Sequence, residues 1–257
     1  LQHRFWSDAA HAAWRMAGIR IGHRVLDVGC GPGFASFDLA QLVGLGGAGE
    51  VLGVDESPNY VAFFNDQAAH RGLSQCRAVA GDVQKLEGAV GAKAGTFDLA
   101  YARWVLCFVP SPGDVLAGVA SALKRGGKFC IHDYFNYRSM TFAPRRESHD
   151  KVVAATVAAC RDRGGDSDVM GRMPRLLKEH GFRLDHLTVH QRVARPTDTM
   201  FQWLNVWWRV YAPKLVQMGY LAKEDQEQLF RDLDEIAQSD VDFVVVPPVY
   251  EIIATRL

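Results

Sequence analysis

The chain has 257 residues, 48% hydrophobic and 23% charged, a composition of folded globular chains that excludes a collagen-like or disordered polymer. Lysine plus arginine and aspartate plus glutamate both total 29, so no whole-chain basic field exists to draw in nucleic acid or an anionic membrane. Five cysteines without a Cys-x-x-Cys pair argue against a disulfide framework or a cysteine zinc site and point to a reducing cytoplasm.

The first residues carry His3, Arg4, Asp8 and His11 without a continuous apolar run, so they do not read as a signal peptide. Because the chain opens with Leu1, a trimmed or missing upstream segment is expected. Residues 7–17 read as a helix, and residues 24–28 as a strand running into the cluster Gly29-Cys30-Gly31-Pro32-Gly33. A helix follows to about Leu42, then a loop over 44–49, a strand over 50–55, a helix over 58–71 and a strand over 76–80. The Gly/Ala-rich stretch 88–95 reads as a loop before a strand over 97–101. A helix over 114–123, a turn at 125–127 and a strand over 128–134 complete the alternation, which predicts an α/β parallel sheet.

Beyond Tyr134 the rhythm changes. Residues 136–150 are polar and read as a loop, 151–163 and 173–180 as helices, and 182–193 as a strand. Residues 197–220 read as a helix with a kink or break at Pro213, followed by a helix over 223–238 and a final strand over 250–257. The whole reads as one domain over 1–257 with a helical cap inserted at 196–240, the kind of insertion that carries function when ordered. The longest apolar runs, such as 243–249, are broken by prolines and too short to cross a bilayer.

Val25-Leu26-Asp27-Val28-Gly29-Cys30-Gly31-Pro32-Gly33 is a strand entering a glycine turn, which lets a ligand approach bare backbone. A dinucleotide fingerprint needs a small residue where this chain has Phe34. Asp27 also places an anion close to where a pyrophosphate would lie. Both features favour a cationic or neutral ligand.

In this run the chain resembles the class I S-adenosylmethionine-dependent methyltransferases, whose first motif is an acidic residue followed by Gly-x-Gly-x-Gly. Val51-Leu52-Gly53-Val54-Asp55 is similar to the second motif, where a carboxylate accepts from both ribose hydroxyls. Ala80-Gly81-Asp82-Val83 resembles the third, which reads the adenine edge. Phe97-Asp98-Leu99-Ala100-Tyr101 and Leu123-Lys124-Arg125-Gly126-Gly127-Lys128 are similar to the fourth motif and to the turn before the fifth strand. The resemblance spans about residues 20–135. It implies a Rossmann-like doubly wound sheet of seven strands, the last antiparallel. It also implies that S-adenosylmethionine, leaving as S-adenosylhomocysteine, is held by Asp27, Gly29, Cys30, Gly31, Asp55, Glu56, Gly81, Asp82 and Val83. Arg15 and the pair Arg103-Trp104 join that set, Arg103 as a partner for the methionine carboxylate. Asp82 has a second reading as the cap of the following helix, and Asp98, at its strand's start, reads as structural.

Methyl transfer from a sulfonium is an in-line displacement that depends mainly on orientation. His132 is the one histidine at a strand's carboxyl end and the candidate general base, its other reading being a satisfied core histidine. Tyr134 and Tyr137 are candidate pocket walls. Trp203, Trp207 and Tyr211 share one helical stripe, read either as core or as the acceptor side of the cap. The expected partner is a small, apolar or aromatic methyl acceptor, with no nucleic acid, membrane or metal, in a monomer or homodimer. Amino-methylating nucleic-acid enzymes of the family carry Asn/Asp-Pro-Pro-aromatic after the fourth strand, where this chain has Tyr101-Ala102-Arg103-Trp104. The cytosine C5 enzymes need a Pro-Cys nucleophile, and none of the five cysteines follows a proline. A nicotinamide-dependent oxidoreductase and a catalytically silent cofactor-binding module are the alternatives.

Overall fold

The computed structural model describes residues 2–44 and 48–257, so 45–47 of the expected 44–49 loop lie outside the described residues. In chain order, α1 (Gln2–Met16) leads into β1 (Arg24–Val28), α2 (Phe34–Val43), β2 (Glu50–Asp55), α3 (Pro58–His70) and β3 (Cys76–Ala80). Then come α4 (Leu86–Val90), β4 (Phe97–Arg103), α5 (Pro112–Ala122), β5 (Leu123–Tyr134) and the short β6 (Thr141–Ala143). The remainder is α6 (Glu147–Asp162), α7 (Met173–Glu179), β7 (Phe182–His190), β8 (Val193–Ala194), α8 (Thr199–Gln217), α9 (Lys223–Gln238), β9 (Phe243–Val245) and β10 (Val249–Arg256).

Seven strands form one sheet in the order β3-β2-β1-β4-β5-β10-β7, and β10 runs antiparallel to both neighbours. The expected sheet with its last strand antiparallel is thereby borne out. The central strands are apolar almost throughout because both faces are covered. Val25, Val51, Leu99, Tyr101 and Cys130 pack toward α1, α2 and α3, while Leu26, Leu52, Ala100, Phe129 and Ile131 pack on the opposite face with residues of α5 and α7. The chain leaves β1 toward β2 and β3, then returns to lay β4 on β1's other side. That reversal opens a crevice at the carboxyl ends of β1 and β4, the place where open α/β sheets bind ligands. A depression of about 440 Å³ lined by Arg24, Glu50, Gln75 and Arg77 lies at the opposite edge, where β1 and β2 begin.

Several local expectations are corrected. Residues 88–95 are not all loop: α4 forms and a 3-10 turn (Gly91–Lys93) follows it. The helix is held by packing, since Leu86 fills the space beside Gly118 of α5, where a Cβ would stand 2.9 Å from the leucine. The expected turn at 125–127 lies within β5, whose register against β4 shifts between Phe97 and Leu99. α8 runs through Pro213 to Gln217, so of the expected kink or break the break does not occur. The polar stretch 136–150 contains a 3-10 turn, β6 and the start of α6.

The helices within 196–240 do not pack alone. A second hydrophobic core joins Met140, Phe142, Val152 and Ala159 of the earlier segment to Phe201, Leu204, Trp208, Leu229 and Leu233 of α8 and α9. A small sheet β6-β9-β8 ties the two segments together. Buried Ser148 of α6 donates to Asp232 of α9 across 84 residues of sequence, a pairing that no local pattern announces.

Candidate active site

The loop after β1 is shaped by three glycines with positive φ. A Cβ on Gly33 would stand 2.4 Å from Phe64 and 2.8 Å from Phe37, so glycine is what lets α2 close on the sheet. A Cβ on Gly31 would meet nothing within 4 Å, so that side of the loop is open. The loop's amides are already used. Gly29 and Cys30 donate to Val54 O (2.8 and 3.1 Å), Gly33 donates to Cys30 O (3.1 Å), and Pro32 has no N–H. Gly31 donates to Asp55 Oδ2 at 2.8 Å. The N–H groups of Gly29, Cys30, Gly31 and Gly33 are thus all engaged within the protein.

Four carboxylates lie at or just beyond the carboxyl ends of β1, β2 and β3. Asp55, half-buried at the end of β2, also accepts from Ser57 N at 3.0 Å, while Glu56 beside it is exposed. Gly81 N donates to Asp55 O and draws the end of β3 alongside. Asp82 caps the 3-10 turn that begins at Val83, accepting from Gln84 N at 2.9 Å, and that bond holds its carboxyl below the usual range. Its capping role is therefore real, and it leaves the half-exposed Asp82 at the same carboxyl edge as Asp55. Asp27 lies beneath the loop and accepts from Ser36 Oγ, and burial pushes its carboxyl up to about 6.

Arg103 ends β4 on the same sheet face as Asp27. Its guanidinium lies 5.1 Å from the Trp104 ring centroid, and Nη2 is 3.1 Å from His3 Nδ1. Nη1 is buried without a hydrogen-bond partner among the described residues. A buried guanidinium N–H lacking an acceptor beside a glycine turn fits a ligand that brings a carboxylate. Arg15 does not join this group. It is exposed in the last turn of α1, about 18 Å along the helix from His3 at 1.5 Å per residue, where the chain heads for the amino end of β1. His3 is the α1 residue that reaches Arg103, and its place in the first turn of a helix read as starting at residue 7 hid it.

The segment after β4 is pinned by Asp133, a residue given no role from sequence. Its Oδ2 accepts from Val105 N and Cys107 N (both 3.1 Å) and its Oδ1 from Tyr134 N (2.9 Å). Burial pushes this carboxyl up to about 6. The pinned segment holds Trp104 at φ +53°, an unusual conformation for a large residue, with its N–H on His132 O at 2.9 Å.

Trp104 is the centre of an aromatic group. Trp203 of α8 stacks on it (6.4 Å between centroids, 21° between planes), as does Tyr134 (6.1 Å, 24°). Trp6 of α1 meets both Trp104 and Trp203 edge-on, and Tyr137 meets Tyr134 edge-on. Trp207, 39% exposed, stacks on Tyr211 at 4.8 Å one turn further along α8. The stripe thus faces the sheet's carboxyl edge at Trp203, while Trp208 and Phe201 fill the cap core. Trp6 was missed, although Trp6, Ala10, Ala13 and Trp14 show helical spacing and all are buried.

His132 is held at one ring nitrogen, and its Nδ1 is buried without a hydrogen-bond partner among the described residues. It is buried on the α1 side of the sheet with its Nε2 2.9 Å from Glu251 Oε2 of β10, and burial pushes its ring toward the neutral form against the pull of that carboxylate. Strand alternation explains the placement. His132 pairs with Glu251 across the β5–β10 ladder, and its neighbour Asp133 takes the other face.

A model of the methyltransferase domain matches residues 19–161. The sterol 4-C-methyltransferase of Caenorhabditis elegans is 35% identical over 136 residues, covering 52% of this chain and 37% of that protein. A ubiquinone biosynthesis O-methyltransferase of Burkholderia orbicola is 35% identical over 124 residues, 48% of this chain and 46% of the relative. The chain thus spans less than half the length of these curated relatives. Among solved structures, geranyl diphosphate C-methyltransferase from Streptomyces coelicolor A3(2) superposes with a TM-score of 0.60 at 15% identity, covering 99% of this chain and 80% of that one, a likeness of fold.

Proposed function

The chain belongs to the methyltransferase-domain family, and from that premise we propose that it moves a methyl group from S-adenosylmethionine to a small apolar or aromatic acceptor. The unpartnered Arg103 Nη1 at the end of β4, beside the acid-and-glycine turn after β1, carries this reading. When bound, S-adenosylmethionine would supply an electrophilic methyl on a sulfonium, its C–S bond breaking as the acceptor bonds to carbon in line and S-adenosylhomocysteine leaves. Arg103 takes the methionine carboxylate, and Asp27 beneath the loop offers a counter-charge to the ammonium. Asp55 receives the ribose hydroxyls, with Glu56 flanking it. Gly81, Asp82 and Val83 border the adenine, and the open side of Gly31 with Cys30 forms the floor. Trp104, Trp203, Tyr134 and Tyr137 wall the acceptor side, and their faces favour a cationic sulfonium over bulk water. Trp207 sits at the mouth. The chain's work in this reading is orientation and exclusion of water.

The relatives' own names, for a sterol, a ubiquinone precursor and a prenyl diphosphate, support an apolar acceptor class. We read the chain as one methyltransferase domain whose cap includes residues 196–240, working in a reducing compartment suited to its five unpaired cysteines. No helix among the described residues is long and apolar enough to cross a membrane. Incubation with methyl-labelled S-adenosylmethionine and a panel of phenolic, sterol and prenyl acceptors tests the proposal. Label is expected in the organic extract with wild type and not with Asp55→Ala. Cofactor binding with no label in any extract would favour the silent module.

A further inference from the structure

On the α1 side of the sheet, two strands beyond Arg103, Glu251 of β10 collects imidazoles from both neighbouring strands. Its Oε2 lies 2.9 Å from His132 Nε2 and 2.9 Å from His190 Nε2, and its Oε1 lies 3.4 Å from His186 Nε2. The register produces this convergence. His132 stands directly across from Glu251 on β5, while on β7 the opposite residue is Thr188 and its same-face neighbours two residues either way are His186 and His190. The ligating atoms of His132, His190 and Glu251 all lie within 4.8 Å of one another. A tetrahedron built on zinc–nitrogen bonds of about 2.0–2.1 Å has edges of roughly 3.3 Å, so small side-chain adjustments bring these atoms onto one ion. His132 and Glu251 form a buried floor, and His186 and His190, about a quarter to a third exposed, leave an entry route at the sheet edge.

We propose that His132, His190 and Glu251, with His186 as the fourth ligand, bind one Zn²⁺-class transition-metal ion that clips the edge strand β7 to β10 and β5. Imidazole nitrogens with a single carboxylate suit zinc and its borderline neighbours and disfavour magnesium or calcium, which want oxygen donors. The ion would be structural, since its ligands lie across β5, β10 and β7 and not in the aromatic group around Trp104.

Chelator-stripped protein is titrated with ZnCl₂, and with MgCl₂ as a hard-cation control, by calorimetry, with bound metal counted by elemental analysis after desalting. Wild type should hold one zinc per chain, melt at a higher temperature with zinc and ignore magnesium. His190→Ala should weaken zinc at least tenfold, and His186→Ala should weaken it measurably. Both positions lie on the partly exposed edge strand, so these variants keep the fold, which circular dichroism checks. His3 and His11, which share Asp38 Oδ2 at 3.0 and 2.7 Å, are the competing cluster, and His11→Ala should leave the stoichiometry unchanged. Tetrahedral Co²⁺ absorption in wild type, lost in His190→Ala, reads the same site without reference to stability. Failure of wild type to retain stoichiometric zinc, zinc that survives His190→Ala, or zinc that leaves with His11→Ala would each overturn the proposal.

Discussion

His149 gives the sharpest test of how the cap is built. It sits in the first turn of α6, fully buried, with its ring 4.0 Å from Phe142 and edge-on to Trp208, and neither ring nitrogen has a partner among the described residues. Burial alone pushes its pKa from 6.5 down to about 3. The unfolded chain therefore binds a proton that the folded cap refuses. The stability tied to the neutral ring is fully present above pH 6.5 and is lost as pH falls toward 3. At pH 5 the gap of about 1.5 units corresponds to roughly 2 kcal/mol, or about 4–8 °C in melting temperature for a domain of this size. His149→Leu keeps the volume and removes both the titration and two unsatisfied nitrogens, each worth about 1–3 kcal/mol when buried unpaired. Denaturant unfolding of both proteins at pH 8 and pH 5 should show the variant's advantage growing by about 2 kcal/mol at the lower pH. An advantage equal at both pH values would mean that the ring is solvated or bonded, and that the cap core is not packed as described.

Arg103→Gln should weaken S-adenosylhomocysteine by roughly 10–150-fold in calorimetry, the value of a charge-assisted hydrogen bond of about 1.5–3 kcal/mol, and an unchanged affinity would remove Arg103 from the cofactor site. Gly31→Ala and Gly33→Ala both pay about 1–2 kcal/mol for a left-handed backbone. Only Gly33→Ala also drives a Cβ into Phe64, so melting should fall further there, whereas Gly31→Ala should chiefly lose cofactor affinity. Equal melting losses would show that the open side of Gly31 is not open. Trp203→Ala should raise the acceptor KM by about tenfold, equivalent to roughly 1.4 kcal/mol, while cofactor affinity stays within about twofold. A parallel loss of both would place Trp203 in the cap's framework rather than on the acceptor.

The sheet was legible because its signals are local. The bounds of β1, β2 and β3 coincide with the apolar runs read from sequence, each closed by a glycine, acid or turn, and the acid-plus-glycine motif carries the family. What escaped is what depends on distant pairing. The cap core needs Phe142 and Trp208 both against His149 and Ser148 beside Asp232, and neither periodicity nor composition joins positions so far apart. His132 looked like a base because it ends a strand near the crevice. Only the β5–β10 register shows that Glu251, more than a hundred residues later, takes its Nε2. Asp133 escaped for the opposite reason. Its role is to satisfy backbone amides of Val105 and Cys107, and no motif spells out which loop a buried carboxylate will hold.

The central claim is the cofactor, and calorimetric titration of S-adenosylmethionine, S-adenosylhomocysteine and NADH into wild type and Asp55→Ala tests it most directly. One site per chain in the micromolar range for both sulfur ligands, abolished in Asp55→Ala, with no heat from NADH, is the expected result. Tight NADH binding with silence from both sulfur ligands would contradict the account and restore the oxidoreductase reading.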